Sequence, residues 1–318
     1  MSIKLSVVGM CYGNAPYIIE ALESIASCGC EVKDWFVIDD GSPEKRHRDE
    51  LVEWSDSAAM NVSTLLHEEN VGLPRRLNEV LSLLCGDYVI FIADDVFLPG
   101  AVDEMVRQAE AANSPDVLTG IAQFYNEDLT EPMSKFYGIW NLEGEFPHVV
   151  DGVQLQDRIV EYNFLSAPAT LWKVSSLREV GGYDEDFSFE DWPIMLKLSS
   201  RIRNFRLALS GHVFVKYRRI PSSHKWVSPG QQLMRDRMYS DSMLMRLRYC
   251  DRSRRHHRAM LYKCLAPYFN SGDVEERVWS SSDFRSWFPL SRFFIKSSRG
   301  RSLSFGYFLA ILEGKFMK

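Results

Sequence analysis

The sequence has no long hydrophobic run, no internal repeat and no low-complexity segment. No stretch approaches the roughly 20 apolar residues that cross a bilayer, and the N-terminal MSIKLSVVGM is apolar too briefly for a secretory signal. The other proportions are ordinary, with 46% hydrophobic and 25% charged residues in 318, which excludes a disordered or fibrous chain. We therefore expect a soluble globular protein that lies in the cytoplasm or at the inner face of the membrane.

Cysteine is scarce and lacks the spacing of a disulfide framework or a zinc site. The six cysteines stand at positions 11, 28, 30, 85, 250 and 264. They include no C-x-x-C pair, and the single C-x-C, from Cys28 to Cys30, has no second half in the sequence. We interpret them as reduced thiols of a cytoplasmic protein.

Positive charge is scarce in most of the sequence and concentrated at its end. Residues 1–230 contain 20 Lys and Arg against 35 Asp and Glu, a balance of −15, and residues 231–318 contain 17 against 8, a balance of +9. The change near SPGQQ, at 228–232, predicts a boundary between an acidic body and a basic, helical C-terminal region. Such a region indicates an anionic partner, for which a membrane surface and nucleic acid both remain open.

Apolar segments alternate with segments of helical periodicity over the first 113 residues. The apolar segments lie at 4–12, 34–42, 62–70 and 88–95. This alternation predicts an α/β fold with a mostly parallel sheet and helices on both faces. In such sheets, ligands bind beyond the carboxyl ends of the strands.

Two of the predicted strands end in adjacent aspartates. Asp39 and Asp40 follow the second strand, and Asp94 and Asp95 follow the fourth. A turn with a capping side chain explains Asp39 and Asp40 alone better than a cation site does, and it explains Asp94 and Asp95 alone equally well. Together they bring four carboxylates to one edge of the sheet, where Mg²⁺ or Mn²⁺ with phosphate oxygens would relieve the repulsion. The acidic edge argues against nucleic acid as the partner of this part of the chain.

A third acidic cluster, YDEDFSFEDW at 183–192, precedes a segment of apolar periodicity. Most of its carboxylates are expected in a solvated loop. Glu190 and Asp191 differ because Phe189 and Trp192 flank them. A carboxylate at a half-buried helix start can keep its charge through backbone N–H groups while it faces a cleft.

Four segments in this order resemble the family 2 glycosyltransferases of the GT-A fold: LSVVGMCYGNAPYIIEALESI, VIDDGS, NVGLPRRLNEVLSLLCGDYVIFIADDVFLPG and VGGYDEDFSFEDWPIMLKL. The resemblance covers residues 4–225. It implies a Rossmann-like GT-A domain at 1–228, with a nucleotide-binding half at 1–100 and an acceptor half at 101–228, before the basic region 229–318.

The implied activity is inverting transfer of a sugar from a nucleotide diphosphate to an acceptor hydroxyl. The resemblance favours a UDP-sugar as the donor. It implies a glycan or a lipid-linked sugar as the acceptor, in the assembly of bacterial surface polysaccharide or glycoconjugates.

For the nucleotide, the resemblance points to the predicted strand ends. It places Cys11 and Tyr12 beside the base, with Tyr12 packed against it. Asp39 matches the carboxylate that binds the base, Asp40 is its neighbour, and Asp94 would hold the ribose. This sequence has M-C-Y-G where the family commonly has P-T-Y-N.

For the metal and the base, the resemblance points to two other carboxylates. Asp95 matches the ligand of the Mg²⁺ or Mn²⁺ that bridges the diphosphate, although Ala93 replaces the first aspartate of the usual motif. His224 is a further candidate metal ligand, with a surface loop position as the alternative. Asp191 matches the general base that takes the proton of the acceptor hydroxyl, and Glu190 stands beside it.

Arg75 and Arg76 replace small residues that the family has at the start of the third helix. Contact with the diphosphate and simple solvation are both open for them. The segment 301–318 has helical periodicity with lysines beside its apolar face. It either packs on protein, including a partner subunit of a homo-oligomer, or lies on anionic lipid as a peripheral membrane helix.

Two other functions compete with sugar transfer. A non-catalytic nucleotide-sugar or glycan-binding protein would keep Asp39 and Asp95 but would not need Asp191. A sugar-phosphate nucleotidyltransferase would need a glycine-rich loop with a basic residue after the first strand, and MCYGNAPY lacks one.

Overall fold

The computed structural model of the chain describes residues 2–138, 146–161, 163, 165–220, 238, 241–242 and 244–250, with the backbone alone at 151–155 and 157. His224, the segment 301–318 and most of the predicted region 229–318 lie outside the described residues.

The described strands are β1 (Leu5–Cys11), β2 (Val32–Asp39), β3 (Val62–Leu66), β4 (Tyr88–Ile92), β5 (Val96–Phe97), β6 (Val117–Tyr125), β7 (Pro132–Tyr137), β8 (His148–Asp151), β9 (Thr170–Lys173) and β10 (Arg206–Arg218). The helices are α1 (Ala15–Ala26), α2 (Lys45–Ser57), α3 (Leu73–Leu81), α4 (Ala101–Ala111), α5 (Gly152–Glu161), α6 (Val174–Glu179) and α7 (Asp191–Arg201), and one 3-10 turn, Ala167–Ala169, precedes β9. In this part of the chain, no helix combines the length and the apolar character that crossing a membrane requires.

The strands form one sheet in the order β3-β2-β1-β4-β9-β6-β10-β5, with β7 paired to β6 and β8 to β10. The first four strands of this order are parallel throughout. β9 is antiparallel to both β4 and β6, and β10 returns parallel to β6. The predicted α/β fold with a mostly parallel central sheet is confirmed. Each antiparallel pair includes a strand that begins after residue 95.

The sheet is buried on both faces, which explains why its strands read as continuous apolar runs. Successive residues of a strand point to opposite faces. Accordingly, Val8 and Ile38 belong to the core that contains α3 and α7, whereas Val7 and Val37 belong to the core that contains α1 and α4.

Local sequence explains how the elements around the carboxyl edge are positioned. Pro16 lies in the first turn of α1, where its missing N–H breaks no helical hydrogen bond. Gly41, directly after the first aspartate pair, has φ of +73°. A Cβ atom there would lie 2.6 Å from the backbone carbon of Glu69, so only glycine lets the loop before α3 approach the end of β2.

The described part of the predicted C-terminal region packs on the core beside α7. Met245 is fully buried in that core. The Asp241 carboxylate accepts a hydrogen bond from the Ser188 backbone N–H at 2.7 Å, and the Arg246 guanidinium lies 4.2 Å from the ring centre of Trp192. The domain boundary at 228 stays a prediction.

Candidate active site

A cavity of about 280 Å³ opens where the carboxyl ends of β1 and β4 meet the start of α7. Its acidic residues are Asp94 and Asp95, which follow β4, and Glu190 and Asp191, at the start of α7. The rest of its wall is largely apolar and aromatic, and consists of Met10, Leu73, Leu77, Phe91, Ile92, Ala93, Tyr137, Ala167, Pro168, Trp172, Tyr183 and Tyr217. Two acidic segments that are distant in the sequence therefore share one cavity.

Asp95 is the most enclosed of these carboxylates, with 5% of its surface exposed. Its Oδ1 accepts a hydrogen bond from the backbone N–H of Arg218 at 2.8 Å. Burial raises the pKa of Asp95 well above its usual value, and the charge of Asp94 adds to the increase. A positive ligand opposite this pair would reverse that effect.

Arg218, at the end of β10, fixes the segment that carries this pair. Its Nε donates to the backbone carbonyl of Asp94 at 2.8 Å, and its Nη1 donates to the carbonyl of Glu127. Its Nη2 donates to Glu20 at 2.5 Å, and its guanidinium lies over the ring of Tyr17, 4.4 Å from the ring centre. The Arg218 guanidinium thus forms an ion pair with Glu20, while the Arg218 backbone N–H binds the Asp95 carboxylate.

Asp191 is the first residue of α7 and is held by three hydrogen-bond donors. Its Oδ2 accepts from the Asn163 amide at 2.5 Å and from the Tyr137 hydroxyl at 3.4 Å, and its Oδ1 accepts from the Trp192 backbone N–H at 2.7 Å. Burial raises the pKa of Asp191, and these hydrogen bonds oppose the increase by stabilising the ionised form. A carboxylate with a raised pKa is a better general base at neutral pH.

Two tyrosines connect the halves of the cavity. The rings of Tyr137 and Tyr217 meet edge to face, with their centres 6.3 Å apart. Burial and the nearby carboxylates raise the pKa of both, so both hydroxyls stay protonated at neutral pH. The Tyr137 hydroxyl can therefore donate its hydrogen bond to Asp191 throughout the neutral pH range.

The carboxylates after β4 fit a hard divalent cation. Mg²⁺ and Mn²⁺ prefer oxygen ligands and usually combine one or two carboxylates with phosphate oxygens and water. Among the described residues, Asp94 and Asp95 belong to no cluster of three or more ligating side chains. Two carboxylates leave coordination positions for the oxygens of a phosphate.

Asp39, at the end of β2, lies beyond the cavity wall and is fully buried. Its Oδ2 accepts from the Arg48 Nε and from the Ser42 backbone N–H, both at 3.0 Å. The Ser42 hydroxyl donates to its other oxygen and accepts from the backbone N–H of Gly13 at 2.8 Å. Asp39 therefore ties the loop after β2 to the loop after β1.

Asp40 and Arg76 form a second enclosed unit outside the cavity. Arg76 Nε donates to Asp40 Oδ1 at 2.8 Å. The same carboxylate accepts from the backbone N–H groups of Val71 and Gly72 at 3.0 and 2.9 Å. Of the two interpretations left open for Arg76, simple solvation is thus wrong, because its side chain is only 10% exposed.

Cys11, Tyr12 and Arg75 have different environments. Cys11 is buried at the end of β1, and burial raises the pKa of its thiol to about 11, so it is a neutral group at physiological pH. Tyr12 follows it with 55% of its surface exposed. Arg75 is exposed and lies 3.5 Å from Glu185, in a depression separate from the acidic cavity.

The sequence interpretation did not single out the groups that hold the acidic residues. Asn163 and Tyr137 lie in segments without clear periodicity, and no spacing links either to Asp191. Tyr217 belongs to a strand whose apolar run gave no hint that its end returns to the segment after β4. The antiparallel pairing of β10 with β5, the short strand directly after Asp95, makes that contact.

Comparison with known proteins gives a family and a fold. The family model described as glycosyl transferase family 2 matches residues 6–166. A search of curated protein sequences returned no match.

Among solved structures, the chain is similar to TarS of S. aureus. TarS 1–349 in complex with UDP-GlcNAc is 19% identical with a TM-score of 0.56, over 89% of this chain and 79% of that chain. The complex of TarS 1–349 with UDP is 18% identical with a TM-score of 0.54, over 90% and 77%. Identity at this level shows a shared fold.

Proposed function

The chain belongs to glycosyl transferase family 2, and we propose that it transfers a sugar from a nucleotide diphosphate to an acceptor hydroxyl with inversion of the anomeric centre. One observation carries the proposal: Asp94 and Asp95 line the same cavity as Asp191. Transfer develops negative charge on the leaving diphosphate and requires a proton to leave the acceptor. The carboxylates of Asp94 and Asp95 suit the first requirement through a bound cation, and the carboxylate of Asp191 suits the second as a proton acceptor.

For the leaving group, we propose that Asp95, with Asp94 beside it, binds Mg²⁺ or Mn²⁺. When bound, such an ion acts as a Lewis acid toward the diphosphate and contributes several kcal/mol. We propose that Asp94 also holds the ribose, as the family resemblance implies. Arg218 keeps both residues at the cavity by its backbone and side-chain hydrogen bonds.

For the acceptor, we propose that Asp191 is the general base. Its raised pKa and its place at the cavity suit removal of the hydroxyl proton. Asn163 and Tyr137 orient the carboxylate through hydrogen bonds to Oδ2. Glu190 lines the cavity beside it and would favour a cationic transition state electrostatically.

For the nucleotide, we propose that the half 1–100 holds the base at the ends of β1 and β2. The exposed ring of Tyr12 provides a stacking surface, and Cys11 contributes a neutral thiol behind it. Asp39 and Asp40 shape the surrounding loops through their internal hydrogen bonds. A direct contact between Asp39 and the base stays a prediction, as do diphosphate contacts of Arg75 and Arg76.

For the substrates, we propose a UDP-sugar donor, since TarS, which shares the fold, has been crystallised with UDP-GlcNAc and with UDP. The acceptor would be a glycan or a lipid-linked sugar bound by the half 101–228, in the assembly of bacterial surface polysaccharide. Contact of 301–318 with a membrane or a partner subunit, and metal binding by His224, stay predictions outside the described residues.

The proposal is tested by incubating the full chain with a panel of nucleotide sugars and Mn²⁺ and measuring the release of nucleotide diphosphate. We expect one UDP-sugar to be consumed faster than the others. Asp191→Asn should lower turnover about 10²- to 10⁴-fold, the usual contribution of a general base. It should retain UDP binding, because the site of the nucleotide is unchanged.

Two results would contradict this proposal. Turnover of Asp191→Asn at the wild-type rate would show that another group accepts the proton. Tight donor binding by the wild-type chain, without transfer or hydrolysis across a panel of acceptor glycans, would favour the non-catalytic binding protein.

A further inference from the structure

Three metal-ligating side chains meet at the loop between α1 and β2. Cys28 Sγ and Cys30 Sγ lie 3.1 Å apart, and the carboxylate of Asp103, in the first turn of α4, reaches the same place. One ligand atom from each of the three residues lies within 4.8 Å of the other two. The sequence spacing gave only two of these ligands, since the third is 73 residues beyond Cys30.

The cluster is separate from the candidate active site. It precedes the amino end of β2, whereas the acidic cavity opens at the carboxyl ends of the strands. None of the three residues lines that cavity. The chemistry of sugar transfer therefore does not explain why they are together.

A backbone hydrogen bond holds the three side chains of this cluster together. The Gly29 backbone N–H donates to Asp103 Oδ1 at 2.8 Å, which fixes the carboxylate against the loop that carries both thiols. All three side chains are half-buried, so their polar atoms are only partly solvated.

The two thiols and the carboxylate disfavour one another's charge in the absence of a cation. The hydrogen bond from Cys30 lowers the pKa of Cys28, and the same hydrogen bond, burial and the charge of Cys28 raise the pKa of Cys30. The charge of Asp103 disfavours a second thiolate further. A divalent cation would remove this conflict, because it lets both sulfurs ionise beside the carboxylate.

We propose that Cys28, Cys30 and Asp103 bind a thiophilic divalent cation of the Zn²⁺ type. Two thiolates and a carboxylate supply three ligands of a tetrahedral site, and water supplies the fourth. Zinc–sulfur bonds of about 2.3 Å require the sulfurs to separate to about 3.8 Å, which small side-chain rotations provide. Binding releases thiol protons and joins the α1–β2 loop to α4.

The test uses the full, metal-free chain, reduced with a phosphine that does not bind metal, and titrates it with Cd²⁺ or Co²⁺ alone. Thiolate coordination produces ultraviolet charge-transfer absorption, which carboxylates such as Asp95 do not give. We expect saturation at one equivalent and an affinity that increases with pH, because protons are released on binding.

Three variants define the ligands. Cys28→Ser and Cys30→Ser should each abolish the absorption, and Asp103→Asn should weaken binding at least about tenfold, the low end of the cost of disturbing a metal site. Cys85→Ser, at an exposed cysteine outside the cluster, is the matched control and should bind normally. Circular dichroism confirms that each variant is folded.

Two results would overturn the proposal: no charge-transfer absorption with the reduced wild-type chain, or absorption that persists in the Cys28→Ser/Cys30→Ser double variant. This outcome does not depend on the proposed function, because the cluster lies outside the acidic cavity. Cys28→Ser should therefore transfer sugar with Mn²⁺ at the wild-type rate.

Discussion

Two pairs of aspartates, written IDDGS and ADDVF in the sequence, end the strands on either side of β1 but have opposite environments. After β2, each carboxylate is matched by an arginine and by backbone N–H groups, with Arg48 on Asp39 and Arg76 on Asp40. After β4, the described partner of the Asp95 carboxylate is a neutral backbone N–H, and burial raises its pKa.

We propose that this difference separates carboxylates that stabilise the fold from carboxylates that bind a ligand. A buried carboxylate paired with a guanidinium is neutralised inside the protein and holds loops together. Asp95 lies beside an arginine whose guanidinium is directed to Glu20 instead. We propose that the charge of Asp95 attracts a cationic ligand at the cavity.

The largest effect on activity is expected for Asp95→Asn. The amide keeps an oxygen for the Arg218 N–H but loses the charge that binds the cation, so turnover should fall about a thousandfold or more, from the loss of several kcal/mol. Thermal stability should stay equal or increase, because a buried charge is removed. Turnover at saturating Mn²⁺ and the melting temperature measure the two effects.

Asp40→Asn is the matched variant of the other pair. It should lower the melting temperature, because it breaks the buried ion pair between Asp40 and the Arg76 guanidinium, and should reduce turnover far less than Asp95→Asn. If the two variants lost activity equally and kept equal stability, the distinction between the pairs would be wrong.

The next effect concerns stability and is expected for Arg76→Ala. Removal of one partner leaves the buried Asp40 charge uncompensated, which typically costs about 3–5 kcal/mol in the free energy of unfolding. Arg75→Ala, one residue earlier on the exposed face of α3, should change it by less than about 0.5 kcal/mol. Urea denaturation of both variants measures the difference, and similar midpoints would refute it.

The smallest effect is a displacement of the pH profile in Asn163→Ala. The Asn163 amide stabilises ionised Asp191, so its removal should raise the pKa of that base further, because a hydrogen bond to the charged form is lost. Since the base works only when ionised, the acid limb of kcat should move to higher pH while the alkaline plateau remains. Tyr137→Phe, which removes a longer hydrogen bond, should displace it less. Profiles that superimpose on the wild type would exclude this orienting role.

The first half of the fold follows from local pattern. Continuous apolar runs ending in Asp or Gly, each followed by a helical period, predict parallel strands buried on both faces, and β1 to β4 have this arrangement. The strands of the half 101–228 could not be predicted from the same periodicity. β9 is a short strand between the 3-10 turn and α6, and it pairs antiparallel with strands from both halves. Its four residues are too few for a period to be recognised.

The candidate active site likewise contains residues that local sequence predicts and residues that only tertiary contacts reveal. Asp94, Asp95 and Asp191 were found from residue type and from their position after an apolar run or before a helix, and the structure places them on one cavity. Asn163 and Tyr137 were not singled out. Each acts by contact with a residue far along the chain, and such contacts leave no mark in local spacing.

The sequence by itself determined the alternation of strands and helices and therefore the edge of the sheet at which carboxylates gather, because burial imposes a periodicity on neighbouring residues. Only the tertiary structure decided which aspartates an arginine neutralises and which face a cavity. It also decided that Asp103 completes the Cys28 and Cys30 cluster. The physical reason is that hydrogen bonding, desolvation and metal coordination depend on distances of a few ångströms between side chains, and chain folding sets those distances independently of separation in the sequence.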